Sequence, residues 1–208
     1  MEQVKKVFAH RFFKIFLWVF FVLLALYIIL VIFRVFHFID VDKTNAQVEK
    51  IHMTKLNMDD VLGKNLPPDP GVLADKTVQG IDANKNGIRD DVELAVFKEY
   101  PNSAKTRAVL LQYALALQME TIQPFVNTAI ATEVIREQSR GFQCVGNIIP
   151  DRETQKAYDE LNYLIKLVKD KQFNTKERQD ARNLFLEKVR SYSDLEKSCD
   201  IDYSKLEN

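Results

Sequence analysis

Histidine is scarce in this chain of 208 residues, and its scarcity narrows the possible chemistry. Three histidines occur, and none lies beyond residue 90, where the sequence has the spacing of helices: His10, His37 and His52. A Ser/His/Asp or Cys/His catalytic set and a His-based zinc site are therefore not expected in that region. The sequence also lacks a glycine-rich loop of the kind that cradles phosphate groups.

Carboxylates remain as possible acid–base groups, and the candidates lie on one predicted helix, at Glu133, Arg136 and Glu137. Charged side chains on a helix face usually point into solvent and do no chemistry. We therefore predict a protein that is not an enzyme. A hydrolase of unfamiliar type is the alternative that these carboxylates leave open.

Basic residues are few outside the N-terminal region. Residues 1–39 contain five basic residues and one acidic residue, so residues 40–208 contain 24 basic and 28 acidic residues and have a net charge of −4. Because binding to the phosphates of nucleic acid requires a basic surface, nucleic acid is not expected as a partner. No feature of the sequence identifies a small-molecule ligand.

Charged and strongly polar residues are absent from Ile15 to Phe33, a run of nineteen residues. As a helix this run would be about 28 Å long, close to the thickness of the hydrocarbon core of a bilayer. Lys14 and Arg34 flank it, and under the positive-inside rule the basic residues before it place residues 1–14 in the cytoplasm. We therefore predict a single-pass anchor in the inner (cytoplasmic) membrane, with residues 40–208 in the periplasm or outside the cell.

A cleaved signal peptide is the alternative to this anchor. The apolar region of a signal peptide usually has about 7–15 residues and is followed by small residues at the cleavage site. Here the apolar run is longer, and it is followed by Arg34 and by residues 35–39 without an Ala-x-Ala-like site. The sequence therefore favours an anchor that is not removed.

Cysteine is also scarce. Cys144 and Cys199 are the two cysteines, and both lie in the region that we predict to be exported. An even number of cysteines in an oxidising compartment favours a disulfide. Closing a loop of about 55 residues would stabilise the fold by roughly 4 kcal/mol in the chain-entropy model. Two free thiols that never meet are the alternative.

The region after the membrane segment divides at a cluster of prolines. Pro67, Pro68 and Pro70 lie within four residues and exclude a regular helix there. We predict a stalk and proline-rich connector over residues 34–80, followed by a helical domain over residues 94–208. No internal repeat is visible.

Apolar residues after residue 90 have helical spacing in five stretches, and no stretch alternates as a strand does. Residues 104–122 are apolar nearly all round, which predicts a buried central helix. Predicted boundaries are helix caps at Ser103, Asp151 and Thr175, a break at Pro124 and a helix end near Gly141. The predicted fold is all-α, with one transmembrane helix, a connector, and a loop that leads into a bundle of about five helices.

Residues 81–93 have the spacing of a calcium-binding loop. We expect oxygen ligands at alternate positions and in twelfth place: Asp82, Asn84, Asn86, the carbonyl of Ile88, Asp90 and Glu93. Gly87 is in sixth place. The pattern is D-x-[DN]-x-[DN]-G-x5-E, in which alternate side chains of a curled loop point to one centre. Hard oxygen ligands in this number suit Ca²⁺ better than Mg²⁺.

The loop resembles an EF-hand-like calcium loop, and more closely a thrombospondin type 3 or dockerin-type loop, because Ile88 directly follows Gly87. An ordinary EF-hand has its aliphatic residue one place later, where this chain has Arg89, and it has a helix before the loop. The segment is also similar to loops in uncharacterised bacterial envelope proteins. The resemblance covers about fourteen residues; it implies calcium and implies no activity. Without a metal, the same residues would form an Asx-rich turn that caps the next helix.

These observations together predict a membrane-anchored, non-catalytic, calcium-binding structural or interaction domain of the bacterial cell envelope. Its expected partners are the membrane and other envelope proteins. The alternative is a subunit of a larger inner-membrane or envelope assembly, in which the anchor helix itself packs on partners.

Overall fold

The structure, a computed structural model, describes residues 2–191 and 198–206, with side chains from residue 13 onward. Within these residues the fold is all-α, as predicted, with seven α-helices and no strand. The helices are α1 Glu2–Met53, α2 Met58–Val61, α3 Asp90–Glu99, α4 Ala104–Ile122, α5 Thr128–Asn147, α6 Gln155–Gln172 and α7 Lys176–Leu186. Short 3-10 turns lie at Gly71–Leu73 and Tyr203–Lys205. The chain forms two compact units, Met1–Ala46 and Gln47–Asn208.

The first unit consists of the N-terminal part of α1. Its segment Phe13–Met53 has the length and apolar composition of a helix that spans a membrane. The large apolar side chains of residues 15–33 are exposed along it, apart from the half-buried Leu17. Because water does not favour so much exposed apolar surface, a bilayer is the environment that such a helix fits. A signal sequence near the N-terminus can also meet this criterion of length and apolar composition, so the helix fits either an anchor or a signal.

The structure differs from the predicted stalk over residues 34–80. Helix α1 continues through residue 53, and the chain from Gln47 onward belongs to the second unit. Ile51, Leu56 and Val61 are buried in the core of that unit, and Val48 packs against it. Val48 and Ile51 are three residues apart, which places them on one helix face, so the stretch before the prolines is part of the domain. The proline-rich stretch itself is not α-helical, as predicted.

Helix α4 is the centre of the second unit. Residues 107–121 of this helix are all buried, and α4 contacts α2, α3, α5, α6 and α7. The predicted cap is confirmed, since the Ser103 hydroxyl accepts a hydrogen bond from the Thr106 amide at 3.1 Å. A helix that is apolar on every side has no face for water, so its neighbours must surround it.

Helix α5 begins after Pro124 with Asn127 as its cap, and it continues to Asn147, past the predicted end near Gly141. A Cβ at Gly141 would lie 3.0 Å from the Cα of Tyr113 on α4. Glycine therefore serves here to bring two helices together and does not end α5.

The last two helices have threonine caps. Helix α6 begins at Gln155 and is capped by Thr154, whereas the predicted cap Asp151 lies in the preceding turn with φ of 49°. Helix α7 is capped by Thr175, as predicted. Residues 192–197 and 207–208 of the predicted domain lie outside the described residues.

The predicted disulfide between Cys144 and Cys199 is confirmed, with the two Cα atoms 5.1 Å apart. It attaches the C-terminal tail to α5. The neighbouring Asp200 carboxylate accepts hydrogen bonds from the Leu56 amide at 3.2 Å and from Arg140 at 2.7 Å. The disulfide suggests an oxidising, extracytoplasmic location for this unit.

Candidate functional site

The loop from Asp82 to Glu93 has the backbone turn that its sequence pattern requires. Gly87 has φ of 85°, a left-handed conformation that favours glycine, and Lys85 has φ of 60°. A Cβ at Gly87 would also lie only 2.7 Å from the Cδ1 atom of Leu115 on α4. Glycine is thus required at this position both for the turn and for the close approach of the loop to α4.

Two of the three aspartates of the loop, Asp82 and Asp90, hold its backbone. The Asp82 carboxylate accepts hydrogen bonds from the amides of Asn86 at 3.1 Å and Gly87 at 2.9 Å. The Asp90 carboxylate accepts from the Ala83 amide, at 3.0 and 3.2 Å to its two oxygens. Asp90 is fully buried, and burial raises the pKa of its carboxyl above the ordinary value. Both carboxylates therefore curl the loop, as carboxylates do in calcium loops and in metal-free Asx turns alike.

Glu93 is the most unusual residue of the loop, because it is fully buried at the start of α3 and no positive side chain in the described part of the chain pairs with it. Its Oε2 atom accepts hydrogen bonds from the side-chain amides of Asn84 at 3.0 Å and Asn86 at 3.1 Å. Its Oε1 atom is buried and has no hydrogen-bond partner within residues 2–191 and 198–206. Burial raises the pKa of Glu93 to about 7, and the nearby charges of Asp60 and Asp90 act in the same direction.

Ile88 lies between the turn and Asp90, with its side chain fully buried in the core. Its amide donates to the Asn86 side-chain oxygen at 2.9 Å. The aliphatic residue after the glycine therefore attaches the loop to the domain, while its peptide group stays in the loop. This is the position at which the sequence predicts a backbone ligand.

The donor set consists of hard oxygen groups, but its side chains are not aligned on one centre. Among the described residues, no group of three or more His, Cys, Asp or Glu side chains is placed to hold a metal ion. The amide groups of Asn84 and Asn86 direct nitrogen at Glu93. The oxygens of the same two amides accept from the backbone amides of Asn86 and Ile88, at 3.3 and 2.9 Å. In this arrangement nitrogen, and not oxygen, therefore faces Glu93.

Two fully buried arginines, Arg178 and Arg89, were missed by the sequence analysis. Arg178 holds the segment before the loop, and Arg89 lies in the loop itself. Arg178 of α7 donates to the carbonyls of Thr77 and Val78, at 3.1 and 3.0 Å, and to the Asp75 carboxylate. These hydrogen bonds of Arg178 therefore fix the segment that enters the loop. A buried arginine is favourable only where its donors are satisfied, and here the connector supplies the acceptors.

Arg89 has the same role inside the loop. It makes two hydrogen bonds to the Asp91 carboxylate, at 2.5 and 2.9 Å, and it donates to the carbonyls of Lys171 and Gln172 at the end of α6. Arg89, which stands where an ordinary EF-hand has its aliphatic residue, thus caps the C-terminal end of α6. A sequence pattern carries no signal for this contact, because its partners lie about eighty residues away.

The predicted acid–base candidates on α5 are engaged in ion pairs and are not a solvated face. Glu133 lies 2.9 Å from His52 and 2.9 Å from Arg136, and Glu137 pairs with Lys55 at 2.9 Å. A histidine therefore does reach the helical domain, contrary to the sequence-based expectation. The reason is that the end of α1 belongs to the second unit.

A second buried glutamate, Glu120, was also missed. It lies on α4, 4 % exposed, and burial raises its pKa to about 7. Its carboxylate accepts from Gln138 at 2.5 Å and forms an ion pair with Arg182 at 3.2 Å. A glutamate inside an otherwise apolar run was the signal that could have identified it.

Comparison with known proteins gives no relative for this chain. No protein-family model matches it, and neither a curated protein nor a solved structure does. The interpretation of the loop therefore depends on its own residues and their geometry.

Proposed function

We propose that this chain is a membrane-anchored, non-catalytic structural domain of the bacterial cell envelope, and that one Ca²⁺ ion binds in the loop Asp82–Glu93. The observation that carries the proposal is the buried Glu93 carboxylate in a loop of EF-hand-like spacing, whose Oε1 atom has no hydrogen-bond partner among the residues that the structure describes. A buried carboxylate without a counter-charge is costly, and a bound cation would remove that cost.

Calcium is the cation that these donors favour. Carboxylate, amide and carbonyl oxygens at alternate positions fit a large, hard ion with six to eight ligands, whereas Mg²⁺ requires a small octahedron. With three carboxylates among the proposed ligands, Asp82, Asp90 and Glu93, we expect a dissociation constant on the order of 10⁻⁴–10⁻⁵ M, near that of extracellular modules. Such an affinity suits a structural ion outside the cytoplasm.

The ion would connect the connector to the helical bundle. The loop joins the segment held by Arg178 to α3, and Glu93 is the ligand that α3 itself would supply. Calcium would thus complete a fold whose connector already packs on α7 and α4. A change of shape on binding is not part of this proposal.

The anchor in this proposal is α1, retained as a membrane helix. Support comes from the basic residues before the apolar run, the absence of a small-residue cleavage site after it, and the disulfide, which suits an oxidising compartment. The N-terminus would then be cytoplasmic and the second unit periplasmic or extracellular.

Thermal unfolding of the full chain in detergent micelles tests the ion. At a calcium concentration a hundred times the dissociation constant, we expect a stabilisation of about 2.7 kcal/mol. For a unit of this size the unfolding midpoint should rise by roughly 5–10 °C relative to chelator. Glu93→Gln should remove most of this rise, while the exposed Glu160→Gln should keep it. The same midpoint in calcium and in chelator would exclude a structural calcium ion.

A subunit of a larger envelope assembly is the second candidate, and one observation favours it. Exposed apolar side chains continue along α1 beyond the predicted span, at Val35, Phe36, Phe38, Ile39 and Val41. Apolar helix surface that is longer than the hydrocarbon core often packs on other helices. Crosslinking in cells with a photoreactive residue at Phe36 should yield the same membrane neighbours in repeated experiments, and crosslinks to lipid alone would argue against this candidate.

A further inference from the structure

An apolar edge of the second unit lies where α4 meets α5. Residues 121–132 include no charged residue, although 28 % of the chain is charged. Ile122 and Phe125 are exposed in this segment, at 41 % and 40 % of their surfaces. Val126, in contrast, packs against the core, and Ile130 is buried in it. Large apolar side chains that point outward from a charge-free segment are typical of a surface that meets a partner or a membrane.

This edge lies at the place where the chain enters the second unit. Gln47 is the first residue of that unit, and its side-chain amide donates to the side-chain oxygen of Gln123 at 2.7 Å. Gln123 stands between Ile122 and Phe125 in the sequence. The chain that comes from the predicted membrane span therefore arrives beside the two exposed apolar side chains.

Two further contacts show the direction in which α5 leads away from this entry. His52 lies 2.9 Å from Glu133, and Lys55 lies 2.9 Å from Glu137. Residue numbers thus increase together along the end of α1 and along α5, so the two segments run in the same direction. The first turn of α5 is at the entry end of the unit, and its last turn is at the far end.

In the proposed function the bilayer is close to this entry, because few residues separate the two. Val41 is the last of the exposed large apolar side chains that follow the predicted span, and five residues lie between it and Gln47. A fully extended chain would cover about 20 Å over this stretch, and a helix about 9 Å. Since the head-group layer is itself roughly 5–8 Å thick, an edge beside Gln47 is within reach of the bilayer surface.

We propose that Ile122 and Phe125 insert into the non-cytoplasmic leaflet of the bilayer that α1 spans. This inference rests on the proposed membrane anchor and goes beyond it, because it gives the second unit a lipid-binding surface of its own. Phenylalanine and branched aliphatic side chains are the groups that enter the boundary between head groups and acyl chains. A segment without charges enters that boundary without the cost of removing a charge from water.

Tryptophan fluorescence of the full chain in phosphatidylcholine vesicles tests this insertion. Trp18 is the single tryptophan, so Trp18→Phe gives a background in which one introduced tryptophan reports alone. In that background we expect Phe125→Trp to lose emission when the lipid is brominated on its acyl chains, because bromine quenches an indole ring only at close contact. The loss should be comparable to that of Trp18 in the wild-type protein.

Phe142→Trp in the same background is the matched control. Phe142 is 44 % exposed, much as Phe125 is, but it lies about 21 Å along α5 from the first residue of that helix. Its emission should be the same in brominated and in ordinary vesicles. Ile122→Trp is a second reporter on the proposed edge, and it should be quenched as Phe125→Trp is, so the test does not depend on the folding of one variant.

The wild-type protein separates this inference from the proposed function. If Trp18 is quenched and both edge reporters are not, the anchor stands and the edge does not insert. If Trp18 is not quenched, α1 does not span the bilayer, and the anchor and the inference are both wrong. Equal quenching of Phe142→Trp and Phe125→Trp would overturn the assignment to this edge. Blue-shifted emission of Phe125→Trp without quenching would assign the edge to contact with a second copy of the chain.

Discussion

Two buried glutamates, Glu93 in the loop and Glu120 in the centre of the bundle, have the same raised pKa of about 7 in different surroundings. Glu120 has a cation of its own, the guanidinium of Arg182 at 3.2 Å. Glu93 accepts from two neutral amides, and within the described residues no positive side chain pairs with it. Burial raises both pKa values, but only the bundle provides a counter-charge from within the chain. This difference is the reason that we propose an ion in the loop and none in the bundle.

The largest expected effect concerns Glu120, the buried glutamate in the centre of the bundle. Arg182→Met would leave the Glu120 carboxylate buried without its counter-charge, which costs about 3 kcal/mol of unfolding free energy at pH 8. Urea unfolding of the full chain at pH 8 measures this loss. At pH 5 the loss should be smaller, because Glu120 is then protonated. The surface variant Lys176→Met should leave stability unchanged, and an equally small effect of Arg182→Met would show that Glu120 needs no counter-charge.

Removing the charge of the loop glutamate Glu93 should instead raise the free energy of unfolding when calcium is absent. Glu93→Gln removes a buried charge, so in calcium-free buffer at pH 8 the variant should be more stable than the wild type, by about 2 kcal/mol. With calcium the order should reverse. Urea unfolding midpoints in the two buffers measure both differences, and a variant that is less stable in both would contradict the view that Glu93 lacks only a cation.

The pH dependence of the calcium-free wild type follows from the same pKa shift. A carboxyl whose pKa is raised in the folded state binds more protons there than in the unfolded state, so its contribution is fully present below pH about 4.5. That contribution is lost as the pH rises through about 7. Stability measured from pH 5 to pH 8 should therefore fall in the wild type and fall less steeply in Glu93→Gln. Equal slopes would assign the effect to Glu120 alone.

The smallest effects compare a glycine of the loop with a glycine of a helix. Gly87→Ala should cost about 1–2 kcal/mol, because alanine disfavours φ of 85° and its Cβ would press on Leu115. Gly146→Ala, in α5 with open space around it, should be neutral or stabilise by a few tenths of a kcal/mol. Thermal unfolding midpoints of the two variants test this contrast, and equal midpoints would show that the loop tolerates a side chain in sixth place.

Much of the architecture was predictable because it depends on local patterns. The apolar run from Ile15 to Phe33, the apolar helix α4 and the caps Ser103 and Thr175 each follow from composition or spacing within a few turns. The end of the stalk was not predictable in this way. Residues 47–61 have ordinary polar composition, and the burial of Ile51 became visible only with the core against which it packs.

The candidate site shows the same division. The spacing from Asp82 to Glu93 identified the loop, since the residues of a calcium loop are contiguous. Arg178 lies outside that spacing, and its hydrogen bonds to the carbonyls of Thr77 and Val78 depend on how the connector packs on α7. The contacts of Arg89 with the end of α6 likewise join segments that are far apart in the chain.

The sequence by itself determined the helical class, the apolar N-terminal span, the two cysteines available for one disulfide and the periodic oxygen donors of the loop, because hydrophobic periodicity and ligand spacing are local properties. Only the tertiary structure decided that Cys144 meets Cys199, that Arg182 pairs with Glu120, and that no positive side chain of the described residues pairs with Glu93. Burial and charge pairing depend on which distant segments meet, and chain order alone does not contain that information.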